Sequence, residues 1–284
     1  MDAAAFMDGI GLCNGGREVF YKLHSRIAES GFRDAVAAAF RAYDADDSAF
    51  ADFLVTFAAD QGVSAEEANL YLYILLAQRS YSFYREKQIE DSVFFQTMRC
   101  FESACVKCYK EKGVYGIVQR TYRAWYRRQL NGTLFHLERL QFEIIPSIYD
   151  MELEGYRISK GDTCLYVHIP GGSPLDYEAC EVSYARAREF FGKHFDLNPC
   201  VFYCGSWLLH PWLTEDLPGS RIHRFQSQFK LAEIVQDEKQ VRSWLFNHSE
   251  APAQELPGDT TLRRAAIYRM QNGLPIGYAR GYRF

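Results

Sequence analysis

The feature that most constrains this chain is a change of hydrophobic period at Asn131-Gly132. Before it, apolar residues recur every three or four positions, as in Phe50, Phe53, Leu54 and Phe57, which places them on one stripe of a helix. After it they alternate, as in Leu165, Val167 and Ile169, which suits a strand buried on one face. A helical pattern cannot settle as a strand, so two regions are expected: 1–132 all-helical, and 133–284 built on a mixed sheet, an α+β organisation.

In the first region the periodicity predicts helices over 17–30, 33–43, 48–60, 65–86 and 90–111, and a last one over 114–130. Asn14-Gly15-Gly16 and residues 44–48 read as breaks, and Ser64 with Glu67 forms a capping box. In the second region strands are expected over 134–144, 151–158, 163–169, 200–207, 221–231 and 276–283. In the 134–144 strand the apolar phase flips, which suggests a bulge or strong twist near Glu138-Arg139. Ser173 as N-cap and Pro174 at the first helical position predict a helix to Phe191, with an inner stripe of Ala179, Val182, Ser183, Ala187, Phe190 and Phe191. A turn or short helix follows over 208–217, and helices over 237–247 and 260–271.

Composition excludes several classes. The net charge is −4 with no run of Lys and Arg, so nucleic acid is not an expected partner. The N-terminus Met1-Asp2-Ala3-Ala4-Ala5-Phe6 lacks the basic-then-apolar form of a secretory signal, and no apolar run is long enough to span a membrane, so a cytoplasmic protein is expected. The eight cysteines are then expected to be reduced, and Cys105-Val106-Lys107-Cys108, without a second pair, reads as helix packing rather than a metal site.

The run Leu165-Tyr166-Val167-His168-Ile169-Pro170-Gly171-Gly172-Ser173-Pro174-Leu175 resembles a known family. So do Ser183-Tyr184-Ala185-Arg186-Ala187, Cys204-Gly205-Ser206-Trp207-Leu208-Leu209-His210-Pro211, Arg224-Phe225-Gln226-Ser227-Gln228-Phe229 and Leu256-Pro257-Gly258-Asp259-Thr260-Thr261-Leu262. Together they are similar to bacterial acyltransferase-domain proteins with a helical N-terminal domain and a GNAT-like C-terminal domain. The resemblance implies an N-acyltransferase, such as an N-acetyltransferase, that takes acetyl-CoA or another acyl-CoA as donor and a small-molecule or peptide amine as acceptor. It implies no metal and leaves the oligomeric state open.

In such an enzyme acyl-CoA binds where two parallel strands splay, and backbone N–H groups at a helix N-terminus hold the pyrophosphate. The resemblance places the splay at 163–169 and 200–207, and the cradle at Ile169, Pro170, Gly171, Gly172 and Ser173. Two departures weigh toward a second reading, a non-catalytic ligand-binding or regulatory protein with a GNAT-like shell. The fingerprint's Arg or Gln is missing, and Asp176, Glu178 and Glu181 bring negative charge where a phosphate would lie. Amine attack needs a base, an oxyanion donor and a thiolate acid. His168 is the first candidate base and Glu138 the second, while Tyr184 and Tyr203 are candidate acids. Cys204 and Ser206 on one strand face, with His210 beyond, offer a third reading, Cys-dependent transfer from a carrier-protein thioester. Gln226 and Gln228 on a polar strand face would hydrogen-bond a polar substrate.

Overall fold

The computed structural model describes residues 1–118, 123–153 and 155–284. The chain divides into two compact units, Met1–His136 and Leu137–Phe284.

The first unit holds α1 (Ala3–Gly9), α2 (Asn14–His24), α3 (Ser30–Ala45), α4 (Asp47–Gln61), α5 (Ala65–Glu86), α6 (Asp91–Met98), α7 (Cys100–Lys112) and α8 (Arg123–Leu130). Helix α5 is its axis: Leu70, Tyr71, Leu72, Tyr73, Ile74, Leu76 and Ala77 are all buried, so it is apolar all round. Its capping box forms as the sequence predicts, with Ser64 N–H donating to Glu67 at 2.8 Å. Gly15 and Gly16, expected to break the chain, lie inside the first turn of α2. A Cβ on Gly15 would fall 2.1 Å from the Tyr115 ring, so the glycines permit close approach. The expected 90–111 helix is divided at Arg99 into α6 and α7. The expected 114–130 helix is helical over α8, while Ile117 N–H donates to Glu66 O at 3.0 Å and draws its start onto α5. Residues 119–122 of that expected helix lie outside the described residues.

Strand β1 (Leu134–Leu137) runs across the division at His136, and the second unit holds β2 (Leu140–Pro146), β3 (Met151–Leu153), β4 (Tyr156–Ile158) and β5 (Thr163–His168). There follow α9 (Tyr177–Phe195), β6 (Phe202–Ser206), α10 (Trp212–Asp216), α11 (Arg221–Gln226), β7 (Lys230–Gln236), α12 (Glu238–Leu245), α13 (Thr261–Gln271) and β8 (Gly277–Arg283). Six strands form one sheet in the order β1-β2-β5-β6-β8-β7, and β3-β4 is a separate hairpin. Strands β5 and β6 run parallel, joined by the crossover helix α9. The fold is the helical-then-mixed-sheet α+β arrangement expected from the change of period.

Four local expectations are corrected. The phase flip at Glu138-Arg139 is a tight turn between β1 and β2, with Glu138 at φ 61°, so the side chains change face because the chain reverses. The 151–158 strand is the β3-β4 hairpin, turning at Gly155 with φ 82°; Glu154 lies outside the described residues. The 221–231 strand is instead α11 followed by β7. Phe225 and Phe229 are four residues apart and both buried, with ring centroids 5.3 Å apart, which is helical-turn spacing rather than alternation. Finally, α9 starts later than expected and is turned about its axis: Cys180, Ser183, Tyr184, Ala187, Phe190 and Phe191 are buried, whereas Val182 is exposed.

Candidate functional site

Strand β5 alternates. Leu165 and Val167 are buried, and Tyr166 and His168 are half-buried. The Leu165 side of the sheet is covered by α9, where Phe142, Tyr184 and Phe202 meet edge to face or tilted. Tyr166 and His168 lie on the other face, rings 4.5 Å apart. There Glu143 of β2 reaches His168, with Oε2 2.8 Å from Nε2, both side chains mostly withdrawn from solvent. A carboxylate on one ring nitrogen fixes the tautomer and supports the imidazolium that forms when the other nitrogen takes a proton.

The strands part beside this pair. β5 and β6 are in register at Leu165↔Phe202 and Tyr166↔Tyr203, and the ladder goes no further. Yet both strands continue. His168 still pairs with Gln141 of β2, and Cys204, Gly205 and Ser206 still pair with Gly281, Arg280 and Ala279 of β8. Each strand is thus held on its outer edge beyond the point where their own pairing ends, which marks a wedge between them. Inside it, the Tyr166 hydroxyl donates to Gly205 O at 2.7 Å. A Cβ at Gly205 would lie 3.0 Å from the Tyr166 hydroxyl and 3.4 Å from that of Tyr203, so a larger residue would press on both hydroxyls.

Residues 169–176 carry the chain from β5 to α9, with Gly171, Gly172 and Ser173 exposed and Gly172 at φ 87°. The helix cap is Asp176, whose carboxylate accepts from Ala179 N–H at 3.3 Å, so Ser173 and Pro174 stand in the loop before the helix instead of at its start. The acidic residues are largely committed. Asp176 caps the helix, its carboxyl held below the usual range by that backbone N–H, and Glu181 is bound by Arg283 at 2.8 Å and Gln228 at 2.6 Å. Arg139, on the turn after β1, donates to Ser173 O at 3.0 Å and to Pro174 O at 2.9 Å, and its own N–H donates to Ser183 at 2.8 Å. A guanidinium therefore sits against the loop, supplied from a distant part of the sequence.

The other candidates are dispersed. Glu138 is exposed on the β1-β2 turn, three residues before Gln141, which pairs with His168. Tyr184 and Cys204 are buried on the α9 side. Burial pushes the Tyr184 phenol well above its ordinary range, and the Cys204 thiol rises for the same reason, so neither is placed to act as acid or nucleophile. Ser206 accepts from Leu208 N–H at 3.1 Å and caps a short 3-10 helix at Trp207–Leu209. His210 is buried and accepts from Trp212 N–H at 3.2 Å through Nδ1. Gln226 is bound within the core to Leu209 O, and Gln228 to Glu181, so they do not share a strand face. Tyr203 remains at the wedge, whereas Tyr166, Glu143 and Arg139 were not singled out from sequence. The period of two along β5 puts Tyr166 beside His168; nothing local announces Glu143 or Arg139. Among the described residues no group of three or more His, Cys, Asp or Glu is placed to hold a metal ion, and no helix is long and apolar enough to cross a membrane.

Two family models match, an N-acyltransferase N-terminal domain over residues 1–132 and a GNAT-like C-terminal domain over 134–283. Among solved structures the chain is similar to an acyltransferase in complex with decanoyl-CoA and teicoplanin, at 25% identity and TM-score 0.64 over 79% of this chain and 68% of that one. It also shares its fold with an acyltransferase mutant in complex with octanoyl-CoA, at 21% identity and TM-score 0.70 over 99% of this chain and 87% of that one. No curated protein sequence is significantly similar to it. The GNAT-like model alone covers more than half of the chain, so the protein belongs to the family with a GNAT-like C-terminal domain, here preceded by an N-acyltransferase N-terminal domain.

Proposed function

We propose that the protein transfers an acyl group from acyl-CoA to an amine, by direct attack of the amine on the thioester. The observation that carries this reading is the wedge between β5 and β6, open beside the His168–Glu143 pair. The strand edges beyond the end of the ladder offer N–H and C=O groups to the amide-rich arm of CoA, as a missing strand would. The loop at Ile169, Pro170, Gly171, Gly172 and Ser173 receives the pyrophosphate, its glycines allowing backbone approach. Arg139, held against the loop, stands in for the fingerprint's missing Arg or Gln and offsets the acidic start of α9.

His168 takes the proton as the amine nitrogen bonds to the acyl carbon, and Glu143 stabilises the resulting imidazolium. The acyl carbon then releases the CoA thiolate. With Cys204 buried and its thiol pushed up, transfer runs without an acyl-enzyme. The acceptor is read as a small-molecule or peptide amine, a class that includes the glycopeptide bound by the acyltransferase similar in structure.

The experiment is incubation with octanoyl-CoA or decanoyl-CoA and a panel of amines that includes teicoplanin, following thiol release and acceptor mass. Amine-dependent thiol release with an acyl mass gain on the acceptor is expected. If the acyl-CoAs neither react nor raise the melting temperature at millimolar concentration, the reading is wrong, since any ligand of the native state stabilises it.

A further inference from the structure

Acyl transfer through a tetrahedral intermediate needs a hydrogen-bond donor aimed at the thioester carbonyl oxygen, where negative charge develops. Four observations converge on one side chain. Tyr166 lies on the same face as His168, two residues before it, with the rings 4.5 Å apart. Its hydroxyl crosses from β5 to β6 just where the ladder ends, 2.7 Å from Gly205 O. The space at Gly205 is kept clear by the absence of a side chain, and the Tyr203 hydroxyl looks onto the same point. Burial pushes the Tyr166 phenol up to about 12, with Cys204 and Glu143 adding to the rise and the bond to Gly205 O and Arg280 opposing it. A phenol in that range stays protonated at neutral pH, so it is a standing donor and a poor source of a free proton.

We propose that Tyr166 is the oxyanion donor of this site, giving its hydroxyl hydrogen bond to the carbonyl oxygen of the acyl thioester. The assignment rests on the acyl-CoA reading of the wedge. In the resting protein the hydroxyl hydrogen is directed at the Gly205 carbonyl. Rotation about the C–O bond redirects it with the oxygen left in place, so the donor is preorganised. As the amine nitrogen bonds to the acyl carbon, the carbonyl π pair moves onto oxygen and is held by Tyr166. The pair then returns, the C–S bond breaks, and CoA leaves as the thiolate. The proton lost by the amine passes to His168 and from there to the thiolate, so Tyr166 begins and ends as a neutral phenol. This role differs from that of a thiolate acid, for which a phenol raised this far is ill suited.

The test needs no acceptor. Octanoyl-CoA labelled with carbon-13 at the thioester carbonyl is bound to the protein, and its carbonyl stretch is isolated by isotope-edited infrared difference spectroscopy. In the unaltered protein the bound band is expected at lower wavenumber than in water. In Tyr166→Phe it returns toward the solution position while the dissociation constant for octanoyl-CoA stays within about threefold, because the bond matters most where charge develops. A lesion that merely loosened the wedge would instead weaken affinity and leave the band of the bound fraction lowered. An unshifted band in the unaltered protein, or the same lowered band in Tyr166→Phe, overturns the assignment. Should that variant not fold, 3,5-difluorotyrosine in place of Tyr166, a stronger donor, must lower the band further, and no movement overturns it. Failure of the unaltered protein to bind octanoyl-CoA at all refutes the acyl-CoA reading, and this role with it.

Discussion

At the scale of single residues the site separates groups whose residue types alone mark them as reactive. His168 and Cys204 both look reactive in the chain, but the sheet puts them on opposite faces. His168 gains Glu143 at 2.8 Å, while Cys204 is sealed under α9 with its thiol held protonated by burial. This contrast predicts a divided outcome. His168→Asn should lower kcat by on the order of a hundredfold, the usual contribution of a positioned base, and Glu143→Gln should cost less. Cys204→Ala should leave kcat within about twofold and cost about 1 kcal/mol of stability from the small cavity. Rates on the best amine of the acceptor panel, with a denaturation curve for each variant, decide it. A Cys204→Ala variant as inactive as His168→Asn would restore an acyl-enzyme.

At the scale of elements, function depends on how strands and turns are joined. The hairpin β1-β2 brings Arg139 to the loop before α9, and the β5–β6 pairing ends at Tyr166 and Tyr203 while both strands continue. If Arg139 serves the phosphates, Arg139→Gln should raise KM for acyl-CoA about tenfold, the worth of one hydrogen bond to a charged group, and leave kcat nearly unchanged. The matching acyl-pantetheine, which lacks the pyrophosphate and nucleotide, should show no difference between variant and parent. An equal loss on both donors would mean that Arg139 only braces the loop through Ser173 O and Pro174 O.

At the scale of the whole molecule, stability depends on groups far from the wedge. In the second unit Trp212, Leu213, Val241, Leu245, Phe246 and Ala266 form a core, bordered by Arg269 on Glu215 and Asp216. His210 is buried nearby, and burial, aided by Arg269, lowers its pKa from 6.5. Its Nδ1 accepts from Trp212 N–H, so protonation would also break that bond. A lowered histidine pKa means the unfolded chain takes up the proton first. Stability from His210 is therefore complete above about pH 6.5 and declines as pH falls toward the folded pKa. Melting temperatures between pH 7.5 and 5 should fall more steeply in the parent than in His210→Asn. Parallel slopes would remove His210 as the cause.

By itself the sequence determined the elements whose signals are local. The capped α5 and the helix-to-sheet boundary are both legible, because period and capping act between residues a few positions apart. It also marked β5 and the His168-to-Ser173 loop, since a strand that ends in Pro and two Gly residues can be read directly. Where local cues were ambiguous the reading erred: Phe225 and Phe229 fit either alternation or a helical turn, and Ser173 fits a cap as well as Asp176 does. Only tertiary structure decided the partners. Glu143 and His168 are 25 residues apart and Tyr166 and Gly205 are 39 apart, and no local interaction carries information over that distance. The choice of which face to bury, and which strand edge to leave open, is made by the packing of α9 and the pairing of β8. That is why the loop was visible in the chain and the chemistry beside it was not.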